Sequence, residues 1–352
     1  MKTITLKLLP ALPAVWIAST LTGLAQESEG WGRVSLSYRA GFNISASFSG
    51  LGGFTPTSNP GSAGRITGAP GAVVRTYDDG FIGIDVSGNA GNSTTYWGYN
   101  DQASQWIGDT IQMHSSSSAA DVRSGKTDGD PQHGAELSAI FALGSSARWS
   151  WGLEAAANWT DISIQDSRPL SGSVATLTHA YSLGGVIPPV TPPPYTGSVA
   201  GPGPLLSDVA VDVSGAAAAG GASVTGTRTL SGSVYGMRLG PALDYDISDR
   251  WSVGVGGGFA LGFIDNEFSF FETVTIPGLG SQSHNGRGSD TDWLYGGYVR
   301  GQINFRLCKF ASVFGAAEFN HLGAFDQTVG GKSAHLDLGR AVYASAGLSF
   351  WF

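Results

Sequence analysis

Charged side chains of both signs recur at every second residue in several stretches of the chain, and this spacing is what could do chemistry. Arg33 and Arg39 alternate with Val34, Leu36 and Tyr38. Glu136 and Glu154 lie in stretches of the same kind, as do Arg238, Asp244, Arg300, Arg306 and Glu318. Successive side chains of a strand point to opposite faces, so these groups would share one polar face behind an apolar one. Charges so gathered either line an aqueous path and set its ion preference, or pair and fill an enclosed space. Both readings stay open. Arg39, Glu136, Glu154, Arg238, Asp244, Arg300, Arg306 and Glu318 are the candidates for either role.

Other constellations fall short of a reaction. The histidines, 114, 133, 179, 284, 321 and 335, include no helical metal pair, and serines are too common for a nearby Ser and His to signify. Gly125-Lys126-Thr127 ends like a phosphate loop, but Ala120 stands where the leading glycine belongs. Asp121, Asp128 and Asp130, or Asp290 and Asp292, lack the spacing of a calcium loop. Cys308 is the only cysteine. No catalytic residue, metal or cofactor is assigned, and the chain is not expected to be an enzyme.

The elements that must carry the charges are strands. From Val34 to Phe48 the even positions are apolar and the odd ones polar, apart from Gly41. Ordinary strands run about 5 or 6 residues, whereas membrane strands need about 9 to 11. The pattern returns at 135–163, 233–263, 293–321 and 336–352, and more weakly at 73–86 and 94–113. Ser-x-Arg-Trp-Ser occurs at Ser146–Ser150 and again at Ser248–Ser252. It reads as a repeated short turn placing Trp149 and Trp251 at a lipid interface, with Trp293 in a similar setting. In the hairpin 293–321, pairing Leu307 with Ala311 sets Phe305 opposite Val313, Val299 opposite Phe319 and Arg300 opposite Glu318. Apolar then meets apolar and cation meets anion.

Composition narrows the class. Charged residues are 13% and aromatics 11% of the chain, which is wrong for disorder. After the first residues no apolar run is long enough for a spanning helix. Alternation in a closed barrel is the remaining way into a membrane. Lys2 and Lys7, the apolar stretch Leu8–Leu24 and small residues at Gly23 and Ala25 form a secretory leader, expected over 1–25. Its loss would take the formal charge from −8 to −10, an acidic balance unsuited to nucleic acid.

The last stretch alternates through Val342, Leu348 and Phe350 and ends on Phe352. A terminal strand of this kind, with the leader and the alternating strands, resembles the bacterial outer-membrane β-barrel proteins. The resemblance implies a barrel at 26–352, with Leu348, Phe350 and Phe352 read by the barrel-assembly machinery. It also implies outer-membrane lipid as surroundings and a location in the bacterial outer membrane. An antiparallel up-and-down barrel of about ten strands is expected, with eight or twelve left open. The connections at 87–93, 144–148, 247–250 and 308–310 read as short periplasmic turns. Those at 49–72, 114–132, 165–228, 273–290 and 322–335 read as long extracellular loops, 165–228 being rich in Pro and Gly. A monomer with an envelope-structural or small-solute pore role is one expectation. A surface interaction or adhesion protein acting through its loops is the alternative.

Overall fold

The computed structural model describes residues 32–62, 73–86, 90–190, 195–197 and 203–351. The expected leader and Phe352 lie outside them. Eight strands form a ring: β1 (Gly32–Phe42), β2 (Gln132–Ser146), β3 (Trp149–Asp166), β4 (Asp212–Asp246), β5 (Trp251–Ile276), β6 (Gly280–Arg306), β7 (Ala311–His321) and β8 (Ala341–Trp351). Each pairs antiparallel with the next, and β8 pairs with β1, joining Val34 to Phe350 and Leu36 to Leu348. The ring therefore closes with no open edge. Its β6–β7 register sets Arg300 opposite Glu318, Val299 opposite Phe319 and Phe305 opposite Val313, as the side-chain pattern predicts.

The outer face is apolar over one band. Leu36, Tyr38, Leu239, Val255, Val299 and Leu348 are all among its exposed side chains. Aromatic residues border the band on both sides. At the short-turn end Trp149 packs on Tyr245 and Trp251 on Phe305. At the other end one cross-strand row joins Trp159, Tyr235, Phe263 and Trp293. From Trp149 to Trp159 is roughly 33 Å along the strand, or roughly 24 Å at a 45° tilt, which matches the apolar band of a membrane barrel.

Eight strands is the lower count that the alternation left open, and the difference from ten has a physical cause. Residues 73–86 and 94–113 do not join the ring. Val73–Thr76 pairs with Gly80–Ile84, which pairs with Trp97–Tyr99, which pairs with Tyr195–Thr196, in a small separate sheet. Thr110–Ser117 instead pairs with Leu170–Ser182, which adds to the far end of β4. Their apolar sides bury Tyr77, Ile82, Trp97, Tyr99, Met113 and Tyr181 against one another. Alternation reports a covered face without saying whether protein or lipid covers it.

The connections are corrected in the same way. Residues 273–290 are not a loop, because β5 and β6 stay paired up to Ile276 opposite Gly280. Residues 165–228 contain the strand Leu170–Ser182, the two-residue strands Tyr195–Thr196 and Leu206–Ser207, and the first half of β4. Residues 322–335 are largely a hairpin of Ala324–Val329 and Lys332–Asp337. The stretch 34–48 is broken at Asn43, whose φ is 58°. Before the break Leu36, Tyr38 and Phe42 face outward. After it Ile44, Ala46 and Phe48 are buried, on a strand (Ser45–Ser49) paired with Lys332–Asp337. One left-handed residue, held by a bond from its side-chain amide to the Arg340 carbonyl (2.7 Å), turns the chain over the mouth of the barrel and carries its apolar face from lipid to core.

Candidate functional site

The lumen is occupied by a layer of paired charges. Glu136 on β2 accepts from Arg39 at 2.6 Å, Arg238 at 2.7 Å and Arg300 at 3.0 Å. Glu154 on β3 accepts from Arg300 at 2.9 Å and Arg238 at 3.3 Å. Glu318 on β7 meets Arg39 at 3.0 Å and also pairs with Arg238. Three guanidinium groups and three carboxylates thus interlock across the lumen, and every one of them is buried. Below them Arg33 pairs with Asp244 at 3.2 Å. The sequence placed all of these groups on the inner face, and the structure brings them together.

Two details differ from the sequence reading. Arg300 and Glu318 face each other in the ladder, yet each takes its partners from across the lumen. Arg306 stays at the short-turn end, partly exposed, 3.9 Å from Asp246 and stacked over Trp351. It lies outside the interlocked layer.

Aromatic rings complete the layer. Arg39 lies over Tyr343 with its Cζ 3.6 Å from the ring centre, Arg238 over Tyr298 at 4.9 Å and Arg300 over Phe314 at 5.6 Å. Glycines make room for the acids. A Cβ on Gly254 would stand 2.5 Å from Asp244 Oδ1, and one on Gly256 would stand 3.1 Å from Glu154 Oε2. The Gly-rich run 254–258 therefore serves the lumen. The void beside Arg33, Glu154 and Arg300 measures about 10 Å3, room for one water. An eight-stranded barrel has an interior that side chains can fill, and here they fill it.

Above the charge layer the lumen continues as an apolar core. Ile44, Phe48 and Leu51 from the segment that folds over the mouth pack with Ile164, Leu230, Ile264, Phe268, Leu336 and others. Phe48 stacks on Phe268 at 5.6 Å. One ion pair is buried there: Lys332 meets Glu272 at 2.5 Å and also donates to the Gly50 carbonyl at 3.0 Å. The backbone N–H of Gly52 donates to Glu272 at 3.3 Å. The sequence reading missed this latch. Its only signal is a lone acid on the inward face of Phe268–Ile276, a stretch that straddles the expected loop boundary.

The interface candidates sit where lipid would meet water. Trp149, Trp251 and Trp293 are 47%, 44% and 58% exposed in the two aromatic rows. Leu348 and Phe350 point outward beside β1. Farther out, Tyr77 bonds to His179 at 2.7 Å and to Tyr181 at 2.6 Å, and Arg75 donates to Tyr181 at 3.1 Å. Burial pushes the Tyr77 phenol up, and burial with the nearby Arg75 pushes the His179 imidazole down. Hydrogen bonding to Asp79, at 2.5 Å, raises His114. Among the described residues no group of three His, Cys, Asp or Glu side chains is placed to hold a metal.

No protein-family model matches the chain, and no curated protein matches its sequence. Among solved structures it is similar to Ail, the attachment invasion locus protein of Yersinia pestis. That match has 8% identity and a TM-score of 0.31, over 92% of this chain and 100% of Ail. The toluene transporter TodX of Pseudomonas putida matches at 10% identity and a TM-score of 0.18, over 93% of this chain and 91% of TodX. OmpT, an outer membrane protein of Vibrio cholerae, matches at 6% and 0.12, over 91% and 98%. Likeness at these scores decides nothing about ligand or activity. The closed ring, its even number of antiparallel strands, the apolar band between two aromatic rows and the short turns at one end together make the chain a closed antiparallel β-barrel of the membrane-spanning kind.

Proposed function

We propose that the barrel anchors a surface-interaction head and is not a conduit for solutes. The observation that carries this reading is the doubly closed lumen, an interlocked layer of three arginines and three glutamates beneath an apolar core. An ion crossing it would have to break buried pairs and then pass a packed core of Phe, Ile and Leu side chains, whose polar groups such as Lys332 and Glu272 are already paired. The strands meanwhile continue far beyond the upper aromatic row. Asp212, at the end of β4, lies roughly 75 Å along the strand from Tyr235 at about 3.3 Å per residue. A chain that only needed to span lipid would stop at the row. In this reading the long-strand end faces outward, the protein is a monomer in outer-membrane lipid, and Leu348, Phe350 and Phe352 serve its insertion by the barrel-assembly machinery.

Planar-bilayer recording tests the proposal. The folded protein, identified by its heat-modifiable migration on a detergent gel, should give no single-channel steps. Neutralising Arg300 and Glu318 together should not create an ion-selective current that depends on their charge. Regular steps from the native protein would defeat the anchor reading and restore the pore.

A further inference from the structure

In the two Ser-x-Arg-Trp-Ser turns the tryptophan faces lipid, but the arginine before it has no partner of opposite charge. Arg148 precedes Trp149 in the turn from β2 to β3, and Arg250 precedes Trp251 in the turn from β4 to β5. The turn from β6 to β7 carries Lys309 beside Phe310. Each short turn thus sets a cation next to an exposed aromatic ring. The backbone holds the three turns in one rim. The N–H of Asp246 donates to the Arg148 carbonyl at 2.8 Å, that of Arg306 to the Arg250 carbonyl at 2.8 Å and that of Trp351 to the Phe310 carbonyl at 2.9 Å. All three cations are exposed, and none forms an ion pair with a carboxylate among the described residues. The nearby acids are Asp246, which faces Arg306, and Asp249.

Height and sign select the partner. Arg148 and Arg250 each stand one residue, about 3.3 Å, beyond the Trp149–Tyr245 and Trp251–Phe305 pairs that end the apolar band. That is within the polar layer, about 5–8 Å thick, that covers the hydrocarbon on each side of a bilayer, at the depth of the lipid phosphates. The opposite rim has the reverse sign. Two residues beyond Trp159, Tyr235, Phe263 and Trp293 the outward row reads Asp161–Ser233–Asp265–Thr291, with acids and no cation. The whole chain is acidic at −8, so the cationic rim is a local departure from its composition. We infer that the short-turn rim binds the headgroups of anionic phospholipids in the leaflet that borders it. Arg148 and Arg250 can each donate to two phosphate oxygens, and Lys309 supplies a point charge to a third. Trp149, Trp251 and Phe310 pack on the glycerol and the first acyl carbons beneath.

The test is lipid retention by the full-length, detergent-folded protein, read by native mass spectrometry. Its two probes share their acyl chains and differ in headgroup, phosphatidylglycerol against phosphatidylethanolamine. One cation at an anionic surface is worth roughly fivefold, so the native protein should retain phosphatidylglycerol at least roughly tenfold more. Arg148→Gln, Arg250→Gln and Lys309→Gln together should remove the preference, and Arg148→Lys with Arg250→Lys should keep most of it. Asp161→Asn with Asp265→Asn, at the other rim, should leave it unchanged. If the triple variant does not fold, each single neutralisation should lower the preference by roughly two- to fivefold. Equal retention of the two probes, or an undiminished preference in the folded neutralised variants, would overturn the inference. A shift of the same size from the Asp161 and Asp265 variant would make net charge the cause and overturn it too. Soluble glycerophosphate that displaces the lipid at equal concentration would assign the rim to a free phosphate ligand, with the same consequence. Regular channel steps from a protein that keeps its headgroup preference would sink the anchor proposal and leave this inference standing.

Discussion

Strand β5 passes through both halves of the molecule, and its two faces exchange roles on the way. Below the upper aromatic row Trp251, Val253, Val255 and Phe259 point out, while Ser252 and Gly254 point in. Above the row Asp265, Glu267 and Ser269 point out, while Ile264, Phe268 and Phe270 point in. The backbone, the period of two and the strand partners are unchanged. Only the solvent differs. Where lipid surrounds the barrel the polar groups are driven inside and must pair, and where water surrounds it the apolar groups are. The lower half is specified by charge complementarity and the upper half by apolar packing.

That contrast can be broken from either side, and the largest effect should come from the charge layer. Glu136→Leu leaves Arg39, Arg238 and Arg300 with one carboxylate fewer in a closed space. It should cost about 3–5 kcal/mol, the range for stranding buried charge, read as a lower temperature for loss of the heat-modifiable form. Phe48→Ala should cost a similar or smaller amount, about 3–5 kcal/mol for an aromatic lost from a core, but in a different place. Protease should cut the extracellular half while the barrel keeps its gel migration. Loss of the barrel itself in Phe48→Ala would mean the two halves fold as one unit.

Outward substitutions sharpen the comparison. Val255→Arg, midway between the aromatic rows, should cost about 2–4 kcal/mol in lipid vesicles, and Ser289→Arg, above them, less than about 0.5 kcal/mol. Equal costs would argue that lipid does not change to water at the Trp159–Trp293 row. The smallest effect is expected from pH around the outer pair of strands Thr110–Ser117 and Leu170–Ser182. His179 is held below its ordinary value of 6.5, so its contribution is present above that pH and is lost as pH falls toward the folded value. His114 is held above 6.5, so its contribution is present below that pH and is lost as pH rises through the folded value. Proteolysis between Val73 and Ser117 should therefore change little with pH in the native chain. It should increase on acidification in His114→Asn, and a flat profile there would remove His179 as the sensitive group.

The lower half was the more legible in the sequence. Its outward residues are large and apolar, its inward charges are spaced by two, and a single register of 293–321 satisfied both faces. The upper half hid because its outward residues are Ser, Thr, Asp and Asn, which look like loop composition. The stretch 273–290 reads as a turn region unless one weighs the inward Val274 and Ile276. The extra hairpin expected at 73–113 failed for the opposite reason: its apolar alternation is real, but protein covers it. The charge layer was legible as a set of inward groups and not as pairs, because partners such as Glu136 and Arg300 meet across the lumen, where no ladder register constrains them.

Strand β4 runs from Asp212 to Asp246; its ladder is interrupted at 219–221, where Gly220 has a φ of 74°, and is continuous from there to its end. From Ser223 onward it makes the wall above and below the upper aromatic row parts of one beam. A pull applied at the far end is directed along the strand, so the ladder bonds to β3 and β5 are loaded together in shear and do not open one after another. If the head is a surface-interaction module, as proposed, tension on it is thereby delivered into the wall of the barrel, the part of the molecule with no free edge from which to peel.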